Sequence, residues 1–318
     1  MTFCLLFDFL RVHLIYIYMK SEKLVTHIRN TLNTKGKKTL PLNIKAVLLF
    51  GSAARGSKTP DSDVDLLVIA DGINPKRHRR GTEIASIKHF FTELSLDILL
   101  LTENEVLSNF RNHNPLFLDI AEEGIIILDY ANFLQQLISE TRDYIKRRGI
   151  KRFGDGWIFP VEKGTPTYLS RVSNKDFSYA MLKDGERDFE IGKRLTDGGY
   201  YDKAVYHCQQ SVEKSVKSIL ITMGVFQKSH LIGGVLRKII SEKGVLKDIE
   251  KTLLEAAEIS ETIEPEVSLS RYPGIIDDSL WVPSEEYNQE DADKAMGKAA
   301  KALSIAKLFV EDWFSKTL

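Results

Sequence analysis

Cysteine is nearly missing from this chain: 318 residues contain two, Cys4 and Cys208. Neither stands in a C-x-x-C pair or beside a Cys/His set, which argues against a disulfide framework and against a structural zinc site. Such usage suits a reducing, cytoplasmic compartment. An excess of one charge is missing too, since Lys+Arg and Asp+Glu both total 44. A general nucleic-acid-coating role needs a basic surplus and is not implied. Two local basic runs, Lys76–Arg80 and Lys146–Arg152, read as solvated surface. Long uninterrupted apolar runs are lacking as well. The most apolar stretch, MTFCLLFDFLRVHLIYIYMK, is broken by Asp8, Arg11 and His13. It has no basic start and no small-residue cleavage site, so neither a membrane span nor a leader is expected. Residues 1–18 read as an extension outside the fold, and Met19 opens a normal amphipathic helix.

What is present is an ordinary globular composition, 43% hydrophobic and 28% charged, at a length that suggests two domains. Residues 19–148 read as α/β. Short apolar runs at Ala46–Phe50, Val64–Ala70, Leu94–Leu101 and Ile125–Leu128 predict strands, with helical stretches between them. Thr102 and Glu105 form a capping-box pattern. Such nearly continuous apolar strands predict a sheet covered by helices on at least one face. Residues 149–174 are rich in Gly and Pro and read as a linker. Residues 175–318 read as five helices with no strands, the pattern of a bundle.

The chemistry concentrates in GSAARGSKTPDSDVDLLVI, residues 51–69. Asp63 and Asp65 stand at i and i+2, a spacing that puts both side chains on one face of a strand. Adjacent carboxylates repel unless a cation or proton joins them. Asp97 interrupts the third apolar run, where a buried unpaired carboxylate would be costly. The economical account is one site at which Asp63, Asp65 and Asp97 share hard cations, most simply two Mg²⁺ ions, in phosphoryl transfer. Gly51 and Ser52 follow a strand and open a short helix, where free N–H groups and a hydroxyl suit a phosphate. Arg55 and Lys58 can reach the same charge. The G-x4-G-K-[ST] phosphate loop is absent.

Gly51-Ser52, ten residues, then Asp63-Val64-Asp65 resembles the G-S-x10-D-x-D signature of the polymerase-β-like nucleotidyltransferase superfamily in its minimal form, the MNT domain. The resemblance covers about residues 21–130. It implies an α/β domain with a short mixed sheet that moves a nucleoside monophosphate from an NTP, ATP first among them, to a hydroxyl and releases pyrophosphate. By the same resemblance Asp63 and Asp65 bind both metals, and Asp97 binds the catalytic one and helps deprotonate the acceptor. Gly51, Ser52, Arg55 and Lys58 serve the nucleotide.

The second half, with GERDFEIGKRLTDGGYYDKAVYHCQQSVEKSVKSILI and a later SRYPG, is similar to HEPN domains. That resemblance implies a four-to-five-helix bundle, often dimeric, that commonly accompanies MNT domains in toxin–antitoxin pairs. There the HEPN partner cleaves RNA through an R-x4–6-H motif, and the MNT partner adds AMP to a nearby tyrosine. Here the motif is missing. Five to seven residues before His207 stand Tyr200, Tyr201 and Asp202, and before His230 stand Met223, Gly224 and Val225. RNA cleavage of that form is therefore not supported, and His207 reads as a hydrogen-bonded core histidine. Arg187, Arg194, Lys214, Lys217 and Arg271 read as helix solubility or as a polyanion groove. The expectation is a nucleotidyltransferase whose helical half binds the acceptor, a small molecule or a protein tyrosine. Tyr200, Tyr201 and Tyr206 are candidate tyrosines in a fused toxin–antitoxin-like arrangement. A non-catalytic nucleotide-binding module is the remaining alternative.

Overall fold

The computed structural model describes residues 21–36, 42–57, 59, 62–169, 171–243, 249–276 and 278–315. The expectations for residues 1–18, Met19, Cys4 and Lys58 lie outside the described residues. The chain forms two compact units that part between Arg147 and Arg148.

In the first unit the order is α1 (Ser21–Thr31), β1 (Asn43–Phe50), α2 (Gly51–Arg55), β2 (Val64–Asp71), α3 (Gly81–Lys88), β3 (Leu96–Leu101), α4 (Glu103–Arg111), α5 (Pro115–Glu123), β4 (Ile125–Asp129) and α6 (Phe133–Arg148). The sheet runs β3-β2-β1-β4. β1 is antiparallel to β2 and β4, and β2 is parallel to β3. Alternation along the strands builds a core on each face. Val47, Leu49, Leu66, Val68, Ile98 and Leu100 pack with Leu24 and Ile28 of α1 and Ile87 of α3. Ala46, Leu48, Leu67, Ile69 and Leu101 pack with Val106, Phe110, Phe117, Ile120, Leu134 and Ile138 from α4, α5 and α6. Helices therefore cover both faces, which is why the strands read as continuous apolar runs. The Thr102–Glu105 capping box forms as expected. Helix α5 was not foreseen. Asn114 caps it by accepting from the Leu116 N–H, with Pro115 in its first turn.

The first basic run needs correction at its last member. Arg80 is 1% exposed. Its guanidinium donates to the carbonyls of Leu100 (2.9 Å) and Asn74 (2.7 Å) and to both carboxylate oxygens of Glu105 (2.8 and 3.0 Å). A fork of five donors satisfied this way can be buried, whereas a lysine could not do the same. The bond ties the end of β3 to the start of α4. Burial alone would raise the Glu105 pKa. The hydrogen bonds from Arg80 and Thr102 outweigh it and hold the carboxyl below the usual glutamate value.

The second unit opens with a hairpin, β5 (Lys151–Phe153) and β6 (Gly156–Ile158), then α7 (Asn174–Asp197), α8 (Tyr201–Thr222), β7 (Val225–Phe226), α9 (Gly233–Lys243), α10 (Glu250–Ile263), α11 (Glu266–Leu269), β8 (Gly274–Ile276), β9 (Ser279–Trp281), α12 (Pro283–Glu286) and α13 (Gln289–Phe314). Helix α8 is the axis of the bundle, with Val205, Cys208, Val212, Val216 and Ile219 in its core. Ala292, Ala295, Ala299, Ala302 and Ala306 form a buried small-residue stripe on α13, which lets that helix come close. The stretch read as a linker is corrected to a structured one. β6 pairs with β7 in a three-stranded sheet, and Gly164 N–H donates to Trp313 O (2.8 Å). Residues 175–318, read as helices with no strands, likewise carry strands, β7 and the hairpin β8–β9. Three-residue strands are too short for a periodicity signal. No helix among the described residues is long and apolar enough to cross a membrane.

Candidate active site

The two ends of the quoted stretch meet because of strand register. β1 pairs with β2 so that Phe50 lies opposite Asp65. Gly51, the next residue, is therefore carried alongside the Asp65 side chain. Its φ is +70°, a left-handed conformation that costs glycine least. A Cβ added there would overlap Asp65 Oδ2 and lie 2.8 Å from Asp65 Cγ. The glycine expected for close approach to a phosphate is thus also required for close approach to a carboxylate of the same motif.

The parallel register of β2 and β3 places Asp65 opposite Asp97 and Val64 opposite Leu96. One step earlier, Val64 N–H donates to Ser95 O (2.8 Å), and the Ser95 hydroxyl donates to Asp63 Oδ1. Two rungs result, Asp63 with Ser95 and Asp65 with Asp97. The period of two puts them on the face that carries Leu67, Ile69 and Leu101 deeper in the sheet. Asp97 needs a correction. It is the exposed second residue of β3, not a buried mid-strand carboxylate. Asp63 is exposed as well, and Asp65 is half-buried. Asp97 is tolerated because the strand start lies in water. Ser95 was missed, although Ser95–Asp97 repeats the i, i+2 spacing of Asp63–Asp65.

Ser52 is half-buried in the first turn of α2. The helix is held by the Ser21 hydroxyl, which donates to Ala53 O (2.7 Å), and by a left-handed Gly56 at its end. Arg55 Nη1 lies 2.7 Å from Glu123 Oε2 of α5. Its guanidinium is thus engaged at the edge of the site, through a partner with no local sequence signal. Lys58 lies outside the described residues. The donor chemistry, three carboxylates on one face, suits a hard cation. The side chains as they stand do not converge: Asp63 is turned to Ser95, and among the described residues no group of three or more His, Cys, Asp or Glu is placed to hold a metal.

In the helical unit the expected groove residues are largely paired. His207 Nδ1 lies 2.9 Å from Asp188 Oδ1, so the expected hydrogen bond is present, but the residue is half-buried rather than in the core. Lys214 lies 2.5 Å from both Asp184 and Asp188. Burial would lower its pKa, but the hydrogen bonds to those carboxylates raise it. Glu213 takes Lys217 at 2.8 Å and His230 at 2.9 Å. Arg271 lies over the Tyr206 and Tyr272 rings, 5.1 and 4.8 Å from their centroids. Arg187 and Arg194 are exposed.

Comparison with known proteins divides the chain in the same way. Residues 26–128 match the nucleotidyltransferase domain family, and residues 178–309 match the HEPN domain family. "Putative toxin MJ1304" of Methanocaldococcus jannaschii is 34% identical over 139 residues, 44% of this chain and 91% of that protein. "Putative protein adenylyltransferase MJ1305" of the same organism is 33% identical over 128 residues, 40% of this chain and 86% of that protein. Among solved structures, a nucleotidyltransferase-like protein from Exiguobacterium sibiricum aligns over 90% of this chain and 77% of its own, at 16% identity and a TM-score of 0.39.

Proposed function

Because the chain belongs to the nucleotidyltransferase and HEPN families, carrying one domain of each, we propose that it transfers a nucleoside monophosphate from an NTP, ATP in the first instance, to a hydroxyl with release of pyrophosphate. The observation that carries this reading is the pair of rungs at the mouth of the sheet, with Asp65 and Asp97 in register and Gly51 against Asp65. Asp63, Asp65 and Asp97 would hold Mg²⁺ once Asp63 turns from Ser95. Bound there, the metal would polarise the attacking and leaving oxygens. Gly51 and Ser52 offer backbone N–H groups and a hydroxyl to the phosphates. Arg55 joins them by exchanging Glu123 for the nucleotide, and Lys58 adds a second cation.

A protein hydroxyl is the favoured acceptor. The two M. jannaschii relatives, one named as a toxin and one as a protein adenylyltransferase, each correspond over most of their length to less than half of this chain. A fused toxin–antitoxin-like protein that modifies a tyrosine of its own or a second helical unit follows from that pairing. Of the three candidate tyrosines, Tyr200 is 62% exposed, whereas Tyr201 and Tyr206 are half-buried. Incubating the full chain with Mg²⁺ and ATP labelled at the α-phosphate tests both statements. Label is expected on the protein, absent in Asp63→Asn and Asp65→Asn, and reduced in Tyr200→Phe. Label on a small molecule from cell extract would redirect the acceptor. No transfer to anything would refute the catalytic reading.

A further inference from the structure

Arg80 is the buried end of a basic run whose other members stand open in water. Lys76, Arg77, His78 and Arg79 are all exposed, and none of them makes an ion pair among the described residues. Arg77–Arg79 form one 3-10 turn. Arg79 N–H donates to Lys76 O (2.9 Å) and Arg80 N–H to Arg77 O (3.2 Å). Beneath the turn, the Arg80 guanidinium donates to Asn74 O (2.7 Å) and Pro75 O (3.4 Å). Asn74 Oδ1 accepts from Lys76 N–H (2.9 Å), and Asn74 N–H donates to Glu83 Oε1 (2.8 Å). The backbone that carries the four exposed side chains is therefore held at both ends.

A solvated basic run needs no such anchor. Like charges on a free loop move apart, whereas this turn keeps Lys76, Arg77 and Arg79 together. The nearest carboxylates in sequence are committed elsewhere, Asp71 to Lys45 (2.9 Å) and Glu83 to the Asn74 N–H. Fixed cations in one place concentrate positive potential even on a chain of zero net charge. The patch also lacks what a protein partner would grip. No large apolar side chain between Asp71 and Lys88 is exposed, and protein interfaces centre on buried apolar and aromatic anchors. A phosphate backbone asks only for cations and hydrogen-bond donors. Each guanidinium can hold two phosphate oxygens at once. Consecutive side chains of a 3-10 turn leave it about 120° apart, so Arg77 and Arg79 reach to different sides. A turn fixed in advance loses little freedom on binding.

We propose that Lys76–Arg79 is a docking point for the phosphate backbone of a nucleic acid, which it recognises by charge and not by base sequence. The turn lies beyond the end of β2 that is remote from the aspartates. Asp65 and Asp71 stand near opposite ends of that strand, on the order of 20 Å apart. The inference goes beyond the transfer reaction and uses no residue assigned to it.

Fluorescence anisotropy of the full chain tests it, with EDTA present and NTP absent so that transfer plays no part. The probes are a labelled single-stranded RNA and a labelled DNA duplex, each about 20 nucleotides or base pairs long, between about 50 and 200 mM salt. The wild type is expected to bind at least one probe with a dissociation constant of about 1–100 µM at the low-salt end. The slope of log affinity against log salt should be about −2 for the single strand or −3 for the duplex, as three cations imply. The tighter probe names the source of the backbone. Lys76→Gln/Arg77→Gln/Arg79→Gln should weaken binding at least about tenfold and flatten the slope by about one per cation removed. Its thermal midpoint should stay unchanged, because only exposed side chains are altered. Arg77→Gln alone should flatten the slope by about one, so the test does not depend on the triple variant. Lys183→Gln/Arg187→Gln/Lys193→Gln is the matched control. It removes the same charge from exposed positions on α7, where Asp184, Glu186 and Glu190 interleave, and should change affinity less than about threefold. No binding to either probe at low salt, an unaffected turn variant, or an equal loss in the α7 control would each overturn the proposal. Labelled polyglutamate binding as tightly as the nucleic acids would overturn it in favour of an acidic protein segment.

Discussion

Gly51→Ala isolates the central geometric claim, because the chain carries its own control. Gly51 opens and Gly56 closes the same short helix with nearly the same φ, +70° and +72°. At Gly56 an added Cβ meets nothing within 4 Å. Gly56→Ala therefore carries only the cost of a left-handed alanine, about 1–2 kcal/mol. For a domain of this size that is roughly 3–8 °C in melting temperature. Gly51→Ala carries the same cost and also drives a methyl into the Asp65 carboxylate, with Cγ only 2.8 Å away. Relief to ordinary contact moves that carboxylate by on the order of 1 Å, and a misplacement of that size costs about 100-fold in rate. The two variants should melt within a few degrees of each other, as read by circular dichroism. Their transfer rates should differ about 100-fold, with Gly56→Ala within about twofold of wild type. Equal rates for the two variants would refute the argument that the glycine is there for Asp65.

Other expectations follow from single contacts. Ser95→Ala removes the hydroxyl from which Asp63 has to turn to bind a metal, so the Mg²⁺ concentration at half-maximal transfer should fall about threefold to fivefold, or about 1 kcal/mol; a rise instead would mean that Ser95 holds Asp63 in its metal-binding position. Arg80→Ala leaves Glu105 and two carbonyls without their buried donor, and should cost about 3–5 kcal/mol in urea unfolding of the first unit. A loss under about 0.5 kcal/mol would restore the solvated-surface reading. The lowered Glu105 carboxyl contributes stability that is fully present above its unfolded-state value and is lost as pH falls through the folded-state value. Wild type and Glu105→Gln should therefore differ at neutral pH and converge in acid. Burial pushes the Cys208 thiol up to about 12, so thiol reagents at pH 8 should spare it in the native protein and label it in denaturant.

Legibility in the sequence followed the range of the interactions. The G-S-x10-D-x-D spacing is local, and the strand on either side is apolar. Both the motif and its place at a strand start could be read directly. Asp97 could be added because a carboxylate in an apolar run is an anomaly on any reading. Its exposure could not, since that depends on where the covering helices stop. Arg80 sat in a basic run that looks like surface, and only the distant carbonyl of Leu100 and the capping Glu105 make its burial affordable. Glu123, the partner of Arg55, is 68 residues away and carries no signature. The β5–β6 hairpin was hidden because its third strand, β7, comes 67 residues after β6 ends at Ile158.

The same alternation that fills the core also explains why the site is where it is. Along β2, Asp65, Leu67 and Ile69 share one face, and along β3 Asp97, Leu99 and Leu101 do the same. Helices α4, α5 and α6 cover the deeper apolar rungs of that face. The first rungs extend past that cover, so the positions that would otherwise carry leucine carry aspartate. Moving the aspartates one residue along either strand would turn them onto the opposite face, toward α1 and α3. Moving them two residues deeper would bury them among Phe110 and Phe117 without partners. The spacing from Gly51 is bounded for the same reason, because the Phe50–Asp65 pairing is the last rung at which the β1–β2 register can bring the glycine against a carboxylate. A variant with Asp65 and Leu67 exchanged should therefore unfold the first unit rather than merely inactivate it, by about 3 kcal/mol or more for a carboxylate without a partner in that core. A folded, inactive protein from that exchange would mean that the covering helices do not set the boundary of the site.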